Sequence, residues 1–137
     1  MNIERLRETI TRHEGSRLNM YQDTLGIWTI GVGHNIQEKG ISPAVMELML
    51  DEDIEEAIVE LKRSVSFFSK MPEQVQEALV NLSFNMGIPR LMQFKKTLAY
   101  LRDGDFEAAA DELLDSRYAE QVGRRADEVA DMIRTAV

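Results

Sequence analysis

Residues 14–34 read EGSRLNMYQDTLGIWTIGVGH, and the change of character inside that stretch decides the fold. Upstream of it, Ile3, Leu6 and Ile10 recur at helical spacing among Glu4, Arg5, Arg7 and Arg12. The periodicity stops at Glu14-Gly15, where glycine suits a helix C-cap. From Leu18 to His34, Tyr, Thr, Trp, Ile and Val become common, and Asp23-Thr24-Leu25-Gly26 reads as a turn between two extended runs. The expectation is a helix ending at Glu14, then a β-hairpin with room for a further short strand. Gly31 and Gly33 alternate along the second run, so the backbone there either lies close to another element or a ligand, or simply bends.

Downstream, Ser42-Pro43 supplies an N-cap and a first-turn proline, opening a helix with Leu50, Ile54, Ala57, Ile58, Leu61 and Val65 on one stripe. It is expected to run to about Ser66. After a break near Ser69 to Pro72 the chain reads as short helices punctuated by Gly87-Ile88-Pro89, Gly104 and Gly123. Their apolar faces are Val75, Ala78, Leu79, Leu82 and Met86, then Phe106, Ala109, Ala110, Leu113 and Leu114, then Ala126, Val129, Ala130 and Ile133. The class is α+β, mostly helical. The expected layout is a single domain, 1–137: a β-containing lobe over about 15–42, a connecting helix over about 43–66, and a helical lobe over about 72–137 joined by the N-terminal helix 1–14.

Composition removes several function classes. Hydrophobic residues at 44% and charged residues at 29% are ordinary for a soluble domain, and no apolar stretch reaches membrane-spanning length. No cysteine is present, which excludes thiol nucleophiles, disulfides and cysteine-bearing zinc sites. The net charge of −8 lacks the basic footprint of a nucleic-acid binder. Its acidic run, Asp51, Glu52, Asp53, Glu55, Glu56 and Glu60, reads as the solvated face of the long helix. His13 and His34 have no third ligand at metal-binding spacing, no Gly-x-Ser-x-Gly elbow occurs, and Gly31-Val32-Gly33 lacks the third glycine of a dinucleotide loop.

What remains is carboxylate chemistry. Glu14 ends a helix, where the partial negative charge of the helix terminus opposes ionisation, as suits a general acid. Most glutamates at helix ends are plain surface residues. Asp23 begins the turn, where its ordinary role is to cap backbone amides, and Thr29 fits a strand without any chemical role. Together they supply one carboxyl leaving a helix and another at a hairpin turn, the pairing a glycosidase requires.

Glu14-Gly15, Tyr21-Gln22-Asp23-Thr24, Gly26 and Thr29-Ile30-Gly31-Val32-Gly33-His34 together resemble the N-terminal signature of the phage-type lysozymes, the T-even-like endolysins of glycoside hydrolase family 24. A Glu, an Asp nine positions on and a Thr six further, joined to the Thr-Ile-Gly-x-Gly-His string, are more specific than any lone motif. The likeness continues in Asn81 to Gly87, Phe94 to Leu98, Ser116-Arg117-Tyr118 and Arg124-Arg125-Ala126, so it covers nearly the whole chain, strongly to His34 and more loosely after it.

The resemblance implies a lysozyme-like fold and an inverting muramidase that hydrolyses the β-1,4 bond between N-acetylmuramic acid and N-acetylglucosamine. Glu14 would protonate the leaving oxygen while Asp23 and Thr29 hold a water on the opposite face of the sugar. It implies substrate contacts at Asn35, Phe84, Asn85, Thr97 and Tyr118, an Arg125 that approaches the catalytic glutamate, and a structural ion pair of His34 with Asp53. No cofactor or metal is implied. The expected partner is the glycan strand of peptidoglycan, with no nucleic acid, no stable membrane insertion and a monomer as the default. Met1 to Glu14 lacks the apolar core of an export signal, so the resemblance implies residence in the host cytoplasm until a holin opens the way to the wall.

Three departures carry expectations of their own. The segment between His34 and the long helix is shorter than in T-even members, which predicts an abbreviated upper wall and fewer saccharide subsites. Tyr118 stands where those members carry tryptophan, and Glu112 where they carry an amide. The charge of −8 predicts long-range repulsion from anionic walls and therefore higher activity with salt screening. Two rivals stay open: a non-catalytic wall-binding or tail-associated module, against which the intact trio counts, and a lytic transglycosylase, which needs no positioned water.

Overall fold

The computed structural model describes residues 1–136, and the chain divides into two compact units, Met1–Met49 and Leu50–Val137. In the first, α1 (Ile3–Glu14) begins where the Asn2 side chain accepts the Arg5 N–H at 2.9 Å, and it stops where the Gly15 N–H bonds back to the Thr11 carbonyl. The apolar stripe Ile3, Leu6, Ile10 stays exposed. The helix falls within the first unit, whereas its sequence position is expected to join it to the helical lobe.

Strands β1 (Arg17–Gln22), β2 (Trp28–Gly31) and β3 (His34–Asn35) follow as an antiparallel sheet in that order, the expected hairpin with its further short strand. Tyr21 pairs with Thr29 and Gln22 with Trp28, with an irregularity between Arg17 and Tyr21. On the other side Thr29 pairs with Asn35. Thr29 thus occupies the middle of the central strand, and at 5% exposure it is the one buried residue among the described residues of this unit.

The sequence reading passed over a short helix, α2 (Ile36–Lys39). Asn35 Oδ1 accepts the Glu38 N–H at 2.9 Å while its amide donates to Glu38 Oε2 at 3.0 Å, an Asn-x-x-Glu capping arrangement. Gln37 Oε1 accepts the Trp28 N–H and ties this turn to β2.

Helix α3 (Pro43–Ser64) opens as the sequence requires, with Ser42 Oγ accepting the Val45 N–H, and ends two residues before the expected limit. Its carboxylates from Asp51 to Glu56 are exposed, the solvated face anticipated for them. Of its stripe, Leu61 and the following Val65 are buried, Ile54, Ala57 and Ile58 are half-buried, and Leu50 is exposed.

The second unit holds the hydrophobic core. A 3-10 turn (Phe68–Lys70) leads to α4 (Glu73–Met86), α5 (Ile88–Leu91), α6 (Lys95–Arg102), α7 (Phe106–Leu114), α8 (Arg117–Val122) and α9 (Arg124–Arg134). Helix α7 packs against α6 and α9, and α4 against α9. Leu79, Leu82, Leu101, Leu113, Val129 and Ile133 are sealed between them. Arg134 of α9 bridges Glu107 and Asp111 of α7 at the surface. No helix among the described residues is long and apolar enough to cross a membrane.

Candidate functional site

The Asp23 turn is built around the backbone of one residue, Ile27. Asp23 Oδ1 accepts the N–H of Leu25 at 2.8 Å and of Ile27 at 2.9 Å, so the capping role expected of a turn aspartate is present. The Asp23 N–H in turn donates to the Ile27 carbonyl at 2.9 Å. The same carbonyl accepts from Thr29 Oγ1, also at 2.9 Å. Asp23 and Thr29 are therefore locked to each other through the backbone of Ile27. Gly26, at φ +79°, closes the turn with its N–H on the Asp23 carbonyl, a conformation that glycine adopts without strain.

This bonding fixes what each side chain has left to offer. Both backbone donors use Asp23 Oδ1, and no described group bonds Oδ2. Thr29 has given its only proton to the Ile27 carbonyl, so its oxygen can act only as an acceptor toward a further group.

Glu14 reaches the same small unit from the end of α1. Its carboxylate lies over Gly33, in the turn between β2 and β3: a Cβ on Gly33 would stand 2.8 Å from Glu14 Oε2 and 3.0 Å from its Cδ. Gly33 also has φ +65°, where other residues are strained. Of the two openings left by the Gly31/Gly33 alternation, the close approach is realised at Gly33, and what approaches is Glu14. No hydrogen bond restrains the Glu14 carboxylate among the described residues, and the residue is exposed.

His34 and Asn35 border this turn in different ways. The His34 Nε2 lies 2.6 Å from the Gly40 carbonyl and so donates to it, leaving Nδ1 free. Asn35 is engaged at both ends of its amide with Glu38, so a saccharide would compete with a helix cap for it.

The remaining expected residues belong to the second unit. Phe84, 43% exposed, lines a cavity of about 690 Å³ with Ile54, Ile58, Asn81 and Arg125. Arg125 donates from Nε to Asn81 Oδ1 at 3.0 Å and from Nη2 to the Asn81 carbonyl at 3.2 Å, fastening α9 to α4. Asn81 was not singled out, although it opens the Asn81 to Gly87 motif. Asn85 is exposed. Asp53 lines a smaller hollow with Glu56, Glu60 and Ser83; it and His34 fall in different units. Thr97 and Tyr118, both buried, line a third cavity together with Glu112. Burial raises the Tyr118 hydroxyl above its ordinary value of 10.0, with Arg125 and Arg90 opposing the rise, so it stays neutral and protonated near pH 7.

Comparison with known proteins matches residues 11–130 to the family described as Phage lysozyme. The chain is 26% identical to "Probable T4-type lysozyme 2" of Dictyostelium discoideum, over 97% of this chain and 95% of that protein. It is 31% identical to an endolysin of Acyrthosiphon pisum secondary endosymbiont phage 1, over 85% of this chain and 80% of the other. It is also 29% identical to the pre-baseplate central spike protein Gp5 of Enterobacteria phage T4, over 93% of this chain but 27% of that protein.

Proposed function

The chain belongs to the phage lysozyme family, and from that premise we propose that it is an active muramidase, an endolysin that hydrolyses the β-1,4 bond between N-acetylmuramic acid and N-acetylglucosamine with inversion. The observation that carries the proposal is the bonding of Asp23 and Thr29 through Ile27. Asp23 Oδ2 and Thr29 Oγ1 are left as two acceptors. A water that donates one hydrogen to each presents its lone pair outward, toward an anomeric carbon.

The Glu14 proton passes to the glycosidic oxygen as the bond from the anomeric carbon to it breaks. The water oxygen bonds that carbon from the opposite face, and its proton passes to Asp23. Inversion requires a separation of roughly 6.5–9.5 Å between the two carboxyls, which leaves space for that water. Gly33 gives the Glu14 side chain its space beside the sheet. Arg125, His34 and Asp53 are supporting residues in this reading; Asn35, Phe84, Asn85, Thr97 and Tyr118 contact substrate. The protein acts on the wall after a holin admits it, as a monomer and without a cofactor.

Proton NMR of freshly cleaved glycan strands tests the stereochemistry. Inversion gives the α-anomer at the new reducing end first, with the β-anomer appearing only by mutarotation. An initial β-anomer overturns the water-positioning role of Asp23 and Thr29, and an anhydro sugar moves the chain to the transglycosylases. The similarity to part of a spike protein favours a second reading, a tail-associated lysozyme-fold module. If that module is non-catalytic, no cleavage occurs at all.

A further inference from the structure

Resting on the reading of Asp23 and Thr29 as the pair that holds the water, we propose that Tyr21 is a positioning residue for that water. Its ring, braced by Arg17, is the wall that keeps the water on Asp23 Oδ2 and Thr29 Oγ1. Tyr21 of β1 and Asn35 of β3 both pair with Thr29 of β2. Residues directly opposite each other in an antiparallel ladder project to the same face, with Cβ atoms roughly 4.5–5.5 Å apart. The three side chains therefore form one row with Thr29 in the middle, while Trp28 and Ile30 belong to the other face. Thr29 is 5% exposed, and its two neighbours in the row are half-buried, as residues that shield it would be.

The two sides of the row are closed differently. The Asn35 amide is committed at both ends to Glu38, so it is fixed and does not compete for the water. On the other side the Arg17 guanidinium carbon lies 4.4 Å from the centre of the Tyr21 ring, a cation–π contact that fixes the ring. Arg17 is exposed and makes no ion pair among the described residues, so the ring is what it holds. Arg17 also pairs with Gly31, and no atom would lie within 4 Å of a Cβ on Gly31. The row is thus closed across the strands and open along β2, in the direction of Gly33, over which the Glu14 carboxylate lies. A sugar enters from the open side, and the ring keeps bulk water from the other. An inverting site gains nothing from a second, loosely held water, because only one aligned with the anomeric carbon reacts.

The test compares Tyr21→Leu, Tyr21→Phe and Arg17→Met with the parent in two readouts: steady-state kinetics on purified peptidoglycan, and crystal structures that show ordered waters. The second needs no turnover, so it separates failure of the wall from failure of the hydrolase reading. Tyr21→Leu should lose about tenfold or more in kcat with KM within about twofold, because the ring orders the water and does not bind the sugar. Tyr21→Phe keeps the ring and should bring kcat back to within about threefold of the parent, with Arg17→Met in between. A water between Asp23 Oδ2 and Thr29 Oγ1 should be ordered in the parent and in Tyr21→Phe, and lost or displaced in Tyr21→Leu. Thermal melts show whether Tyr21→Leu is folded; if it is not, Arg17→Met carries the same comparison. An inactive parent whose water is nonetheless lost in Tyr21→Leu supports the wall and removes the hydrolase. Unchanged kcat or an equally ordered water in Tyr21→Leu overturns the proposal. So does a loss confined to KM, which makes Tyr21 a sugar contact, and a loss in Tyr21→Phe as deep as in Tyr21→Leu, which moves the role to the hydroxyl.

Discussion

The carboxylate of Glu14 rests over Gly33 so closely that a Cβ there would meet Glu14 Oε2 at 2.8 Å. Gly33→Ala is therefore expected to swing the acid of the proposed mechanism out of place as well as strain a backbone at φ +65°. The stability loss should be about 1 kcal/mol, from the strain. The activity loss should be much larger, about 10²-fold, because a general acid displaced by an ångström no longer reaches its oxygen. Thermal melts and steady-state turnover on purified peptidoglycan, measured together, check it: equal small losses in both would show that Glu14 does not depend on this contact.

Asp23 holds its turn and, in the proposed mechanism, accepts a proton, and two substitutions separate the roles. Asp23→Asn keeps an oxygen for the N–H groups of Leu25 and Ile27, so folding should persist while turnover falls by about 10²–10⁴-fold. Asp23→Ala should lose activity as severely and also about 1 kcal/mol of stability in the first unit, through loss of the bonds to the Leu25 and Ile27 amides. Hydrogen exchange at Leu25 and Ile27 distinguishes the variants. Full activity in Asp23→Asn would remove the base from the mechanism.

For Thr29 the decisive atom is Oγ1. Thr29→Ser retains the bond to the Ile27 carbonyl and the free acceptor, and should keep most of the activity. Thr29→Val preserves shape but loses both, and should cost about tenfold or more in kcat. Equal activities in the two variants would leave Thr29 with only its place in the strand.

Tyr118 sets a pH dependence at the alkaline end. Its hydroxyl is raised above 10.0 by burial, so the folded state binds this proton more tightly than the unfolded state does. The associated stability is fully present below pH 10 and is lost as the pH rises through the folded value. Tyr118→Phe, which also removes an unpaired buried hydroxyl, should match or exceed the parent's melting temperature near neutrality and gain on it above pH 10. A gap that stays constant across that range contradicts the assignment.

The charge of −8 should govern wall encounter. Cleavage of anionic walls is expected to rise as salt increases from low values, then decline once substrate contacts are screened. A monotonic fall from the lowest salt would show that local charge contacts outweigh the net charge.

Much of this was legible in the sequence because its signals are local. Helical spacing to Glu14, the Asp23 to Gly26 turn and Ser42-Pro43 each depend on a few adjacent residues, and each appears where the pattern put it. Helix α2 was equally local, through Asn35 and Glu38, and was passed over because four residues give no apolar periodicity. The Ile27 carbonyl could not have been found: every residue carries one, and only the folded turn singles it out. The Asn81–Arg125 bonds are also beyond sequence reading, since they join positions from different helices.

The most direct test of the central claim is mass spectrometry of the fragments released from purified peptidoglycan by the parent chain and by Glu14→Gln, side by side. The account predicts hydrated, reducing muropeptides from the parent and none from the variant, with both proteins folded. Equal hydrated product from Glu14→Gln, or no product from the parent, would contradict it.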